Sequence, residues 1–219
     1  ANSQLGNLLV ERGRIKVEQT KQSGADKTAL MTEAAQIYGD AYKVFERAQV
    51  ELKEKLSKMK VVDPSDKDKV AMRDQLRADY LQAQLLAAAI KEESADTTKP
   101  GSAEFKTLLA EAAKQYGEIY EKYRTRLAGL YARMYQGRCS QKLTDYKNAL
   151  SYLGELMEQP DNPEAIRTIK TKTMLLAAEC WASSKPPLYA EAVEKLDLWI
   201  DKARPNESKT LDWMKLRLE

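Results

Sequence analysis

The chain has 219 residues, of which 36 are basic and 33 acidic for a net charge of +3; hydrophobic residues make up 43%, and there is no histidine. That share of hydrophobic residues excludes wholesale disorder, and the near-balance of interspersed charge gives no case for a nucleic acid or an anionic membrane as partner. Without histidine there is no Ser-His-Asp triad, no Cys-His pair, no His-bearing zinc site and no imidazole base.

Helix formers (Ala, Leu, Glu, Lys, Gln, Arg) dominate the composition, and short Gly and Pro clusters divide it. The first predicted helix spans 5–22 and stops at Gln22-Ser-Gly-Ala-Asp26; the second spans 27–60 and stops before Val62-Asp-Pro-Ser-Asp66. Asp66 or Ser65 then caps a third helix, 66–93, carrying Met72 and Leu76 and closed by 94–101. Ser102, with Glu104 and Phe105 behind it, caps a fourth helix over 103–123. Helices over 125–143 and 145–158 follow. Asn162 caps the next, 163–183, with Pro163 in its first turn. Ser183-Ser-Lys-Pro-Pro187 leads into a helix over 187–203, and Pro205 precedes the last, over 207–218. No alternating apolar and polar run is long enough for a strand. The chain is therefore all-α, and short loops join its helices as stacked antiparallel pairs.

Internal repetition supports that arrangement. Residues 33–42 (EAAQIYGDAY) align without gaps on residues 111–120 (EAAKQYGEIY), with six of ten positions identical. Two more segments, around Ala149 and Ala192, fit the same frame. A small residue stands at Ala34, Ala112, Ala149 and Ala192. Three positions earlier stand Met31, Leu109, Tyr146 and Tyr189; four later, Tyr38, Tyr116, Leu153 and Leu196; seven later, Ala41, Ile119, Leu156 and Trp199. These offsets share one helix face. Glycine recurs five after the small residue, at Gly39, Gly117 and Gly154. A mid-helix glycine costs about 1 kcal/mol against alanine, so tight helix packing is expected there.

This pattern resembles tetratricopeptide repeats. The clearest unit runs over about 130–163: Gln136-Gly137 in its first helix, Tyr146 after the turn, Ala149, Leu153 and Leu156 in its second, and Pro160 and Pro163 at its close. Gly137 precedes Ala149 by 12 residues, the family spacing, and Cys180 precedes Ala192 by the same interval. The family's first-helix Trp is absent, and the small residues recur at intervals of 78, 37 and 43 rather than the family's 34. The resemblance implies a right-handed α-solenoid of about four repeats plus a C-terminal helix, in one domain over 1–219: irregular long-helix repeats over 1–124, more regular ones over 125–206, and a closing helix over 207–219.

The resemblance further implies a non-catalytic scaffold that holds a peptide or helix of a partner protein in a concave groove lined by first helices. Outward positions there would be Tyr131, Met134, Tyr135, Arg138 and Lys142, with Arg77, Tyr80 and Gln84 before them and Met174, Trp181 and Lys185 after. Aromatic, Met and Arg side chains are enriched at interfaces, and the basic ones suit an acidic segment; the same residues could equally pack between repeats. Arg138 and Lys142 loosely match the carboxylate clamp of some family members, but the clamp's Asn residues are missing.

Other chemistries are weaker. Cys139 and Cys180 read as buried small side chains rather than a redox pair, and two cysteines cannot form a disulfide framework or a Cys-only zinc site. Glu92-Glu93, like Asp40 and Asp79, reads as surface charge, and so does the basic cluster Arg167, Lys170 and Lys172. Tyr38, Tyr42, Tyr116 and Tyr120 read as packing residues with their hydroxyls at the edge. No cofactor or metal is expected, and no apolar run reaches the ~18 residues of a membrane span. The chain starts at Ala1 without Met and ends inside a helical pattern, which reads as processing or excision from a longer protein. A cytoplasmic and an exported, signal-cleaved location both stay open. The alternative function is a self-associating structural repeat of a larger protein or cell-envelope assembly, joined through its chain ends, where Trp213, Met214 and Leu216 are apolar.

Overall fold

The computed structural model describes residues 2–59 and 61–218. Lys60, the last residue of the predicted second helix, lies outside the described residues, as do Ala1 and Glu219 at the chain ends. Among the described residues there are nine helices and no strand: α1 (Asn2–Gln19), α2 (Lys27–Lys58), α3 (Lys67–Ala95), α4 (Ala103–Tyr123), α5 (Leu127–Lys142), α6 (Tyr146–Met157), α7 (Glu164–Ser183), α8 (Tyr189–Ile200) and α9 (Leu211–Leu216). Their order is the predicted one. None of them is long and apolar enough to cross a membrane.

Local sequence explains several starts. The Ala29 and Lys69 amides donate to the Asp26 and Asp66 carboxylates at 3.0 and 3.1 Å, the Phe105 amide to the Ser102 hydroxyl at 3.1 Å, and the Asn148 amide to Asp145 at 3.3 Å. Each satisfies one of the amides a helix start leaves unbonded. At α7 the expected cap shifts by one residue: Pro163 itself is the N-cap, and no side chain caps the helix.

The chain divides into two compact units between Gln115 and Tyr116, inside α4. In the first unit α2 packs against both α1 and α3. Gly6 and Gly13, two turns apart on α1, face the rings of Phe45 and Tyr38; a Cβ on Gly6 would come within 2.5 Å of the Phe45 ring. These glycines let α1 approach α2 closely. The core joins Val10, Ala34, Tyr38, Ala41, Phe45, Ala48, Ala83, Ala87 and Ile90. On its edge the Arg14 guanidinium grips Glu93 through two nitrogens, at 3.0 and 2.5 Å, and Lys91 ties α3 to Glu111 of α4 at 2.8 Å.

In the second unit α7 is central, touching α5, α6, α8 and α9. Gly137 of α5 faces Leu153 of α6, where a Cβ would lie 2.8 Å from the leucine side chain, and Ala149 is fully buried beside them. This is the helix crossing expected at Gly137 and Ala149. The shared frame holds elsewhere too: Ala34, Ala112 and Ala192 are buried, as are Tyr38, Tyr116 and Leu196 four later and Ala41, Ile119 and Trp199 seven later. It breaks at Tyr189, which is 62% exposed.

Three expectations are corrected. Gly39 and Gly154 are not packing glycines: nothing lies within 4 Å of a Cβ built on either, and Gly117 meets only the end of Gln136. Glu92 is 1% exposed rather than surface charge. Arg167 and Lys170 are 2% and 5% exposed rather than a solvated cluster. The Arg167 guanidinium donates to Glu207, to Asp161 at 2.9 Å and to the Lys202 carbonyl at 2.6 Å, and lies 4.5 Å from the Trp199 ring. Lys170 donates to Asp161 at 2.6 Å. Trp199 stacks on Trp213 with centroids 6.1 Å apart. Two buried cations are tolerable here because carboxylates, a carbonyl and aromatic faces replace water. The network ties α9 and the loop before it to α7.

Candidate functional site

The expected first-helix face is only partly outward. Met134 and Met174 are 3% and 5% exposed and belong to the core clusters, so their assignment to the groove surface is corrected. Tyr131 and Tyr135 are half-buried and pack against the same core, their rings stacked 6.1 Å apart. Arg138 lies over the Tyr135 ring at 4.5 Å, and Lys142, at the end of α5, is half-buried. On α3, Arg77 is exposed and paired with Asp74 at 3.2 Å, whereas Tyr80 and Gln84 are half-buried. Met134 escapes a reading from sequence because α5 has small or apolar side chains around most of its circumference, so the sequence does not mark its buried stripe sharply.

A concavity in the second unit lies elsewhere, between α6 and α8 over α7. It encloses about 600 Å³. Its floor is Lys170, Met174, Ala177 and Trp181 on α7; one wall is Leu150, Leu153, Gly154 and Met157 on α6; the other is Leu188, Glu191, Lys195, Leu198 and Lys202. A second hollow, sharing Leu150 and Leu188, extends it past Asp145, Lys147, Ser183 and Lys185. Of the predicted site residues the structure thus brings together Met174, Trp181 and Lys185. Met174 contributes only a small exposed edge, Trp181 is half-buried, and Lys185 is exposed. Tyr131, Met134, Tyr135, Arg138 and Lys142 do not line this hollow.

The groove is apolar within and charged at its rim. Among the described residues Lys147, Lys185, Lys195 and Lys202 make no ion pair, against two carboxylates, Glu158 and Glu191, likewise without one. Asp161 is already engaged by Lys170 and Arg167. The hydrogen bond from Lys170 holds its carboxyl below the usual range, burial opposing and Arg167 assisting. Asp145 caps α6. The unspent charge around the opening is therefore net positive.

A smaller hollow of about 210 Å³ in the first unit occupies the same repeat position: Ala35, Gly39 and Tyr42 line it, as Leu150, Gly154 and Met157 line the larger one. Its surroundings are more polar, with Lys91 set over the Tyr42 ring at 4.4 Å and Gln115 donating to the Tyr42 hydroxyl at 3.2 Å. The recurring glycine thus marks open surface in both units. It was the available signal for the α6 wall; the opposite wall, Lys195 and Leu198 on α8 with Leu188 before it and Lys202 after it, was missed because it lies off the core frame.

Neither Cys139 nor Cys180 forms a disulfide, and both are fully buried. Burial pushes the Cys180 thiol up to about 12, with Glu179 adding to the effect, so it is no nucleophile at neutral pH. No protein-family model matches the chain, and no curated protein or solved structure shows significant similarity to it.

Proposed function

We propose that the chain is a non-catalytic protein-interaction scaffold that binds a segment of a partner protein in the groove between α6 and α8. The observation that carries this reading is Gly154. A mid-helix glycine weakens α6 by about 1 kcal/mol, and no packing within the second unit uses the space it leaves. An apolar trough with a few charged groups at its rim is the usual form of a binding site. The resemblance to tetratricopeptide repeats, a family of partner-binding modules, supports the same function, although here the groove lies between second helices rather than along first ones. Capture from cell lysate with wild-type protein, Gly154→Met and Arg138→Glu tests it. A partner identified with wild type and Arg138→Glu but lost with folded Gly154→Met is the expected result. Loss with Arg138→Glu alone would move the site to α5.

The self-associating alternative draws on Met214, 49% exposed at the end of the fold. Trp213 and Leu216 beside it are buried, which favours α9 as a closing helix over an adhesive one.

A further inference from the structure

We infer that the α6–α8 groove takes an amphipathic α-helix with an acidic flank, an inference that rests on the partner-binding reading. Three observations point to it. The floor and most of the walls are α-helical, with Glu158, Asp161, Leu188 and Lys202 outside helices, so most of the lining backbone is already bonded within each helix. An extended segment would find few main-chain partners there, whereas a helix satisfies its own. The floor runs from Lys170 to Trp181, which at 1.5 Å per residue is about 17 Å, or three turns of a docked helix. Gly154 on one wall and Ala177 on the floor are small enough for its backbone to come close, and the flexible Met157 side chain can adjust to its apolar stripe.

Charge selects the flank. Lys195 stands on α8, and Lys202, two residues past the end of that helix, continues the same wall. Neither has an ion-pair partner among the described residues. Carboxylates on the side of the docked helix facing this wall would meet both. Lys147 and Lys185 extend the positive rim beyond the end of α6.

The test uses the full chain and synthetic peptides of about 14 residues, measured by fluorescence anisotropy. The probe is a staple-constrained helix with Leu at i, i+3 and i+7 and Glu on one flank. Its controls replace Glu by Lys, or break the helix with a central Pro. The expected result is binding of the acidic helix, weakened about tenfold or more by either control and by the pair Lys195→Glu and Lys202→Glu, and lost with Gly154→Met while that variant melts no lower than wild type. If wild type binds the Pro-broken or Lys peptide as well as the acidic helix, this inference fails and the groove reading stands. Equal binding by Gly154→Met and wild type would overturn the groove itself. No binding of the acidic helix to wild type overturns the inference, and capture with Gly154→Met then decides the groove separately.

Discussion

Thr173 is 0% exposed, and among the described residues its hydroxyl has no hydrogen-bond partner. A buried, unsatisfied hydroxyl costs more than it contributes, so the near-isosteric Thr173→Val should stabilise the fold by about 1 kcal/mol in urea titration; a loss of stability would mean that the hydroxyl has a partner. Asp161 gives a pH prediction. Its folded-state carboxyl is held below the unfolded value of about 4 by the Lys170 hydrogen bond. The stabilisation is thus fully present above pH ~4 and lost as pH falls through the depressed folded value. Melting temperature should drop below pH ~4, and Asp161→Asn should melt lower than wild type at pH 6 while showing a smaller acid-dependent drop. A wild-type acid drop that the substitution leaves unchanged would mean the pair contributes nothing. The charge pattern gave no warning of this network: Arg167, Lys170 and Lys172 look like any basic helix face, and only the return of Glu207 and Trp213 to α7 buries two of the three.

At the scale of helices, two mid-helix glycines of one repeat do opposite work. Gly137 is pressed against Leu153 and Gly154 against nothing. Gly137→Leu should therefore unfold the second unit or destabilise it by several kcal/mol through overpacking, while Gly154→Ala should raise stability by about 1 kcal/mol through helix propensity alone. Chemical denaturation of both variants checks the contrast, and similar effects of the two would show that the groove is closed in solution. Helix number, order and most caps were legible because Gly and Pro clusters and Asp or Ser caps act locally. The inward face of α5 was not, because Ala, Gly, Leu, Met and Cys surround it almost evenly.

For the whole molecule, Phe45 lies in the core of the first unit, and Trp181, Trp199 and Trp213 all belong to the second. Tryptophan emission therefore reports the second unit, while far-UV circular dichroism reports all helices. Phe45→Ala, which opens the first core at a cost of about 3–5 kcal/mol, should split the dichroism transition and leave the emission midpoint in place. Coincident shifts in both signals would show that the two cores melt as one.

The all-helical class and the repeating core positions around Ala34, Ala112, Ala149 and Ala192 were determined by sequence alone, because helix propensity, capping and period 3.6 burial are properties of short stretches. Tertiary structure decided which exposed positions converge. The groove draws on Gly154, Trp181 and Lys195, separated along the chain and united only because α6 and α8 both pack on α7 yet leave a space over it. That space depends on how three helices cross, which no local pattern encodes.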